Sequence, residues 1–207
     1  MTIYLLVGKN NAGKEMNMNS KIDTKKQIMD TAENLLLDRG YNGFSYKDIS
    51  NALSIRNASI HYHFSRKTDL GVAIIRRAKV RFAKWSESMA GKNIGYLKKL
   101  NEFFLIFKKY VEREQQVCLG GALETDFKTL PGEMQEETRI FVSTMLQWLE
   151  KLLAEGRSKG EFKFAGTAKD QALLIIASLQ GAIQIVRVTA PSCFNSTVKQ
   201  IRSSVCA

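Results

Sequence analysis

The sequence predicts an all-α protein, in which a small three-helix N-terminal domain leads into a larger helical domain. Three observations point to this. Only two prolines, Pro131 and Pro191, interrupt 207 residues, and β-branched and aromatic runs of the kind that fill sheets are few. A hydrophobic content of 44% suffices for a core, and its residues recur at helical rather than alternating spacing. Charge then divides the chain. The net charge of +11 suggests a polyanionic partner, nucleic acid or a membrane surface. Residues 21–99 hold 16 basic and 7 acidic side chains, whereas residues 100–207 hold 13 and 12. An anion-binding module is therefore expected ahead of a nearly neutral one with a separate task.

Residues 1–20 read as a flexible leader, with Met16 or Met18 as an alternative start. The leader contains a decoy. Gly8-Lys9-Asn10-Asn11-Ala12-Gly13-Lys14, behind the strand-like Ile3–Val7, has the outline of a phosphate-binding loop. Such a loop needs a Ser or Thr hydroxyl next for magnesium and a helix whose N-terminus faces the phosphates. Here Glu15 follows, and no alternation of strands and helices comes after it. Nucleotide hydrolysis is set aside.

Ordered structure is expected from Asp23 or Thr24. Ile28, Ala32, Leu35 and Leu36 form one apolar face of a helix that Gly40 ends. Ser45, with Asp48 three residues on, caps a short helix reaching about Leu53, and Asn57 is placed to cap another. Only a tight turn fits between them. Two short helices joined by a three- or four-residue turn are the helix-turn-helix signature, whose second helix enters the DNA major groove. Ile60 and Phe64 share the side that would pack with Ile49, Leu53 and Ile55. The small Ala58 and Ser59 let the helix approach the groove floor, Tyr62 can donate to a phosphate, and His63 to a phosphate or a base edge. His61 lies between the two faces. An ordinary solvated helix is the alternative for all these exposed residues.

From Thr68 the chain reads as long helices with short joints. Leu97, Leu100, Phe104, Phe107, Val111 and Cys118 form one apolar stripe and Phe103, Ile106, Tyr110 and Val117 another, as in a centrally buried helix. Gly120-Gly121 is read as a break. Pro131 opens a helix carrying Ile140, Phe141, Met145, Trp148, Leu149 and Leu152, which fades by Gly156–Gly160. Thr167 to Asp170 cap a strongly apolar helix reaching about Thr189. Leu173–Val188 carries more apolar surface than one face can hide, and Ala177 and Gly181 at i, i+4 permit close contact with another helix.

Ile28, Ala32, Gly40-Tyr41, Phe44-Ser45, Ile49, Ala52, Ile55, the run Ala58–Phe64, Lys67 and Leu70 together resemble the N-terminal domain of TetR/AcrR-family transcriptional regulators. Leu130-Pro131, Lys159–Phe162 and Gln180–Ala182 resemble that family's second domain. The resemblance implies a helix-turn-helix DNA-binding domain over 21–70 and an effector-binding and dimerisation domain over 71–207. It implies double-stranded DNA as partner, a homodimer through the last two helices of each subunit, and a small-molecule effector that releases a near-palindromic operator. The implied DNA contacts are Ser45, Lys47, Asn57, Ala58, Ser59, His61, Tyr62, His63 and Lys67, the last as a phosphate clamp at the start of the fourth helix. Candidate effector-binding residues are Trp85, Phe107, Tyr110, Cys118, Phe141, Met145 and Trp148, each of which could equally be ordinary core. Repression is the expected outcome, and an architectural or cell-division role without effector is the alternative. Ser50, Ser54 and His61 depart from the family's usual alanine, glycine and tyrosine. Of these, Ser54 matters most if the turn needs positive φ.

Other classes are excluded. Three cysteines, Cys118, Cys193 and Cys206, are odd in number and lack metal-ligand spacing, which argues against a disulfide framework and fits a reducing compartment. Cys118 is read as an inert buried thiol, with electrophile sensing as the alternative. His61 and His63, at i, i+2, lie about 200° apart on a helix and cannot converge on one ion. No nucleophile motif accompanies these two histidines, so neither catalysis nor a cofactor is expected. Leu173–Val186 is too short and too polar for a membrane span, and Ile3–Val7 too short for a signal-peptide core, so a cytoplasmic protein is expected.

Overall fold

In the computed structural model, which describes residues 11–113 and 116–206 and the side chains of residues 23–113 and 116–206, every regular element is helical. The first, α1 (Asn11–Arg39), begins about a dozen residues before the expected start. No proline blocks residues 11–22, and extending a formed helix adds a hydrogen bond for each residue fixed. Residues 1–10, with the expected strand Ile3–Val7 and the first part of the Gly8–Lys14 loop, lie outside the described residues; the rest of the expected leader enters only as helical backbone. Gly40 ends α1 at φ +76°, its N–H donating to the Leu36 carbonyl at 2.9 Å.

Next come α2 (Tyr46–Leu53), α3 (Asn57–His63) and α4 (Lys67–Gly91). Ser45 caps α2 as expected, its N–H and hydroxyl both donating to Asp48 Oδ2 at 2.8 and 2.6 Å. The cap of α3 is Arg56 rather than Asn57, which is already helical; no side chain bonds the helix end. Between them Ser54 adopts the left-handed conformation, φ 53° and ψ 37°, and its N–H reaches the Asn51 carbonyl at 3.3 Å. Ile28, Ala32 and Leu36 of α1 close with Ile49, Ile60, Phe64 and Leu70 into a buried nucleus, and Leu53 and Ile55 are half-buried against it.

The remainder comprises α5 (Tyr96–Glu112), α6 (Leu119–Thr125), a 3-10 turn at Phe127–Thr129, α7 (Gly132–Ser158), α8 (Ala168–Val186) and α9 (Ser192–Val205). Pro131 and Pro191 stand just before α7 and α9, and Thr167 caps α8 by accepting the Asp170 N–H at 3.0 Å. One expectation is corrected. Gly120 and Gly121 are not a break but lie within α6, and Cys118 is the N-cap of that helix rather than part of the α5 stripe. The glycines answer a need for space: a Cβ on Gly120 would stand 3.3 Å from Gln180 Nε2, and one on Gly121 3.3 Å from Cys118 Sγ.

Helix α7 packs against α4, α5, α6 and α8, and α8 against α9. The core is continuous across both expected domains. Glu137 of α7 accepts from Arg76 (2.7 Å) and Lys79 (2.8 Å) of α4, and these cations hold its carboxyl below the ordinary range. Among the described residues no helix is long and apolar enough to cross a membrane.

Candidate nucleic-acid interface and internal cavity

Helix α3 is fixed from beneath. Ile60 is fully buried, Phe64 nearly so, and the Tyr46 hydroxyl donates to the Phe64 carbonyl at 2.9 Å, tying the start of α2 to the end of α3. Burial pushes the Tyr46 phenol up to about 12, so it keeps its proton for that bond. On the other side Asn57, Ala58, His61 and Tyr62 are exposed, over an arc of about 140° at 100° per residue. Tyr62 is 69% exposed and meets the His63 ring edge-on at 5.1 Å.

The remaining expected contacts fall around this face in different ways. Lys47 is exposed on the first turn of α2, while the Ser45 hydroxyl is engaged in its cap. Ser59 and His63 are half-buried on the flank. His61 packs edge-on against Tyr46 at 4.9 Å, with Nδ1 3.3 Å from the Ser65 carbonyl, as a residue between the faces should. Lys67 departs from expectation. Its ammonium turns into the domain, donates to the Tyr41 carbonyl at 2.5 Å and to the Phe44 carbonyl, and lies over both rings at 4.4 and 4.2 Å. Carbonyls left without helical partners in the loop after α1 draw it inward, and burial lowers its pKa. In this position it clamps the loop after α1. Arg56, exposed just before α3, was not singled out from sequence; its sign and its place in the turn were the available signal.

The second domain grips the first at the same loop. Asp126, beyond α6, accepts the Tyr41 N–H at 2.6 Å, and Asn42 Nδ2 donates to Thr129 Oγ1 at 2.7 Å.

Behind this junction lies a cavity of about 1060 Å³ bounded by α1, α4, α5, α6 and α7. Trp85, Phe107, Tyr110, Cys118, Phe141 and Met145 are among the residues that line it. Trp148 is not among the lining residues but backs the wall, 4.7 Å from Trp85 and stacked on Phe103 at 5.4 Å. Burial pushes the Tyr110 phenol up to about 12 and the Cys118 thiol up to about 11, leaving very little thiolate at neutral pH. Sequence reasoning missed the wall supplied by α1, where Asp30, Glu33, Asn34 and Leu37 face the cavity. Glu33 is a carboxylate set directly beside Ala32 of the core stripe, and that was the legible hint.

Two family models match the chain. Residues 28–74 match the bacterial regulatory proteins, tetR family, and residues 97–198 the Tetracyclin repressor-like, C-terminal domain. The chain is a TetR-family transcriptional regulator. Its fold matches a TetR-family regulator from Agrobacterium tumefaciens with a TM-score of 0.84 at 26% identity, covering 90% of this chain and all of that one. A TetR regulator from Legionella pneumophila is 30% identical, with a TM-score of 0.78 and coverage of 88% and 97%. Among curated relatives, the repressor NemR of Escherichia coli is 22% identical over 175 residues, covering 81% of this regulator and 85% of NemR. The repressor DhaR of a Mycobacterium species is 20% identical over 170 residues, covering 82% and 85%. The α2–turn–α3 unit of this TetR-family regulator is therefore its DNA-binding element.

Proposed function

We propose that this regulator is a homodimeric repressor that holds a near-palindromic operator through α3 and releases it when a small molecule fills the cavity. The observation that carries the reading is the shared wall: α1, which builds the core beneath α3, also lines the cavity. A ligand there touches the DNA-binding domain directly. For release, it must favour one placement of α1 over another.

The outer face of α8 supports the dimer. Leu173, Leu174 and Ile185, with Val188 just beyond the helix, are all more than half exposed, and no atom stands within 4 Å of a Cβ placed on Gly181. This stripe suits a two-fold partner helix, and such a dimer presents two copies of α3 about 34 Å apart. The names of NemR and DhaR support repression over activation.

The test is a gel shift on DNA flanking the regulator's own gene at two salt concentrations. If the dimer neutralises 6–10 phosphates, affinity falls by roughly 10³–10⁵ between 50 and 200 mM salt. Binding that ignores salt, or a single monomeric species in sedimentation at micromolar concentration, overturns the reading.

A further inference from the structure

The cavity has two kinds of wall. Its buried lining is apolar and aromatic, with Leu37, Phe82, Phe107, Phe141 and Met145 all 7% exposed or less. Its exposed rim carries Arg81 of α4 and Lys109 and Arg113 at the end of α5.

The carboxylates of this wall are already committed. Glu33 of α1 is held by Arg77 and Arg81, each at 2.5 Å. Asp30 is held by Arg77 at 2.6 Å and Lys26 at 2.9 Å, and Glu112 by Lys108 at 3.3 Å. No carboxylate among the described residues pairs with Lys109 or Arg113. A cationic guest would meet acids that are already neutralised, and a neutral one would leave the rim cations unanswered. An anion has three cations to meet, beside an apolar body that suits the lining.

The rim also reaches the DNA-binding domain. Arg81 is more than half exposed, yet one nitrogen is bonded to Glu33. An anion that recruits Arg81 therefore competes with Glu33 and weakens a link between α1 and α4, the two long helices that enclose α2 and α3 in the sequence. By linkage, the DNA-bound form must hold such a guest less tightly.

We infer that the cavity takes an amphiphilic monocarboxylate, an apolar body with a terminal anionic group, whose carboxylate competes with Glu33 for Arg81. This rests on the effector-release reading above and names its ligand class and its switch.

Decanoate, decanol and decylamine share a body and differ at the head. Both tryptophans stand at the cavity, Trp85 in its lining and Trp148 behind it, so intrinsic fluorescence of the full-length dimer reports binding. Decanoate should bind at least about tenfold more tightly than either analogue and should weaken the gel shift. In Arg81→Met the preference for decanoate should shrink severalfold, what remains coming from Lys109 and Arg113, whereas Glu33→Gln, by removing the competitor, should bind decanoate more tightly than the parent does. A merely structural role for Glu33 would loosen binding of all three probes alike. Equal binding by the parent, preference for decylamine, or decanoate binding that leaves the gel shift unchanged overturns the inference. So does absence of binding by any probe when the specific DNA band is intact, an outcome that leaves the DNA-binding reading standing. Loss of the DNA band in probe-free protein counts against the proposed function instead.

Discussion

Ser54 occupies left-handed backbone, at φ 53°, where a side chain costs roughly 1–2 kcal/mol and glycine costs far less. Ser54→Gly should stabilise the protein by about 1 kcal/mol after the added freedom of the unfolded chain is counted, raising Tm by about 2–4 °C. A thermal melt with unchanged or lower Tm would refute this. That strain was legible only through the resemblance, because Ser54 stands where the family usually has glycine; the Ser45 cap and the apolar spacing after it required a tight turn but did not give its φ. Lys67 shows the opposite case. Its sequence position matched a phosphate contact, but the carbonyls that claim it belong to Tyr41 and Phe44, more than twenty residues away. Direction of that kind depends on tertiary closure, which periodicity does not encode.

Helices α2 and α3 were readable as elements because each carries its own signals: the Ser45–Asp48 box, and Ile60 and Phe64 on one face. Lys47 is the exposed cation of this pair of helices. Lys47→Ala should weaken DNA binding to a similar degree on every sequence tested and reduce the steepness of the salt dependence by about one unit. An altered sequence preference with an unchanged salt slope would instead make Lys47 a reader of bases. Helices α1 and α6 were read less well. Glycine pairs usually punctuate, but Gly120 and Gly121 serve packing against Gln180 and Cys118, partners that only the folded chain supplies. The cavity was mostly legible from its aromatic residues on α4, α5 and α7. Its α1 wall was not, because the same helix also faces a core, and one stripe cannot reveal two neighbours.

At the scale of the molecule, the division of charge held its meaning: the basic stretch contains the DNA-binding element. The two expected domains are joined by polar contacts that span long sequence separations, Tyr41 with Asp126 and Asn42 with Thr129. Within the second, Glu137 ties α7 to α4 through Arg76 and Lys79 in a partly buried cluster. The lowered carboxyl of Glu137 gives a stabilisation that is full above its ordinary pKa of 4.5 and is lost as pH falls through the lower folded value. Glu137→Gln should therefore lower stability by roughly 1–2 kcal/mol at pH 7, with the gap to the parent narrowing at pH 3. Melts at the two pH values that differ by the same amount would disprove it.

The wall that α1 lends to the cavity also constrains redesign. Randomising Phe107, Phe141 or Met145 changes what the cavity admits without altering the helix beneath the DNA-reading face. Changing Glu33 or Leu37 retunes recognition and response together. A sensor engineered from this scaffold should take its new specificity from α5 and α7, leaving α1 as inherited.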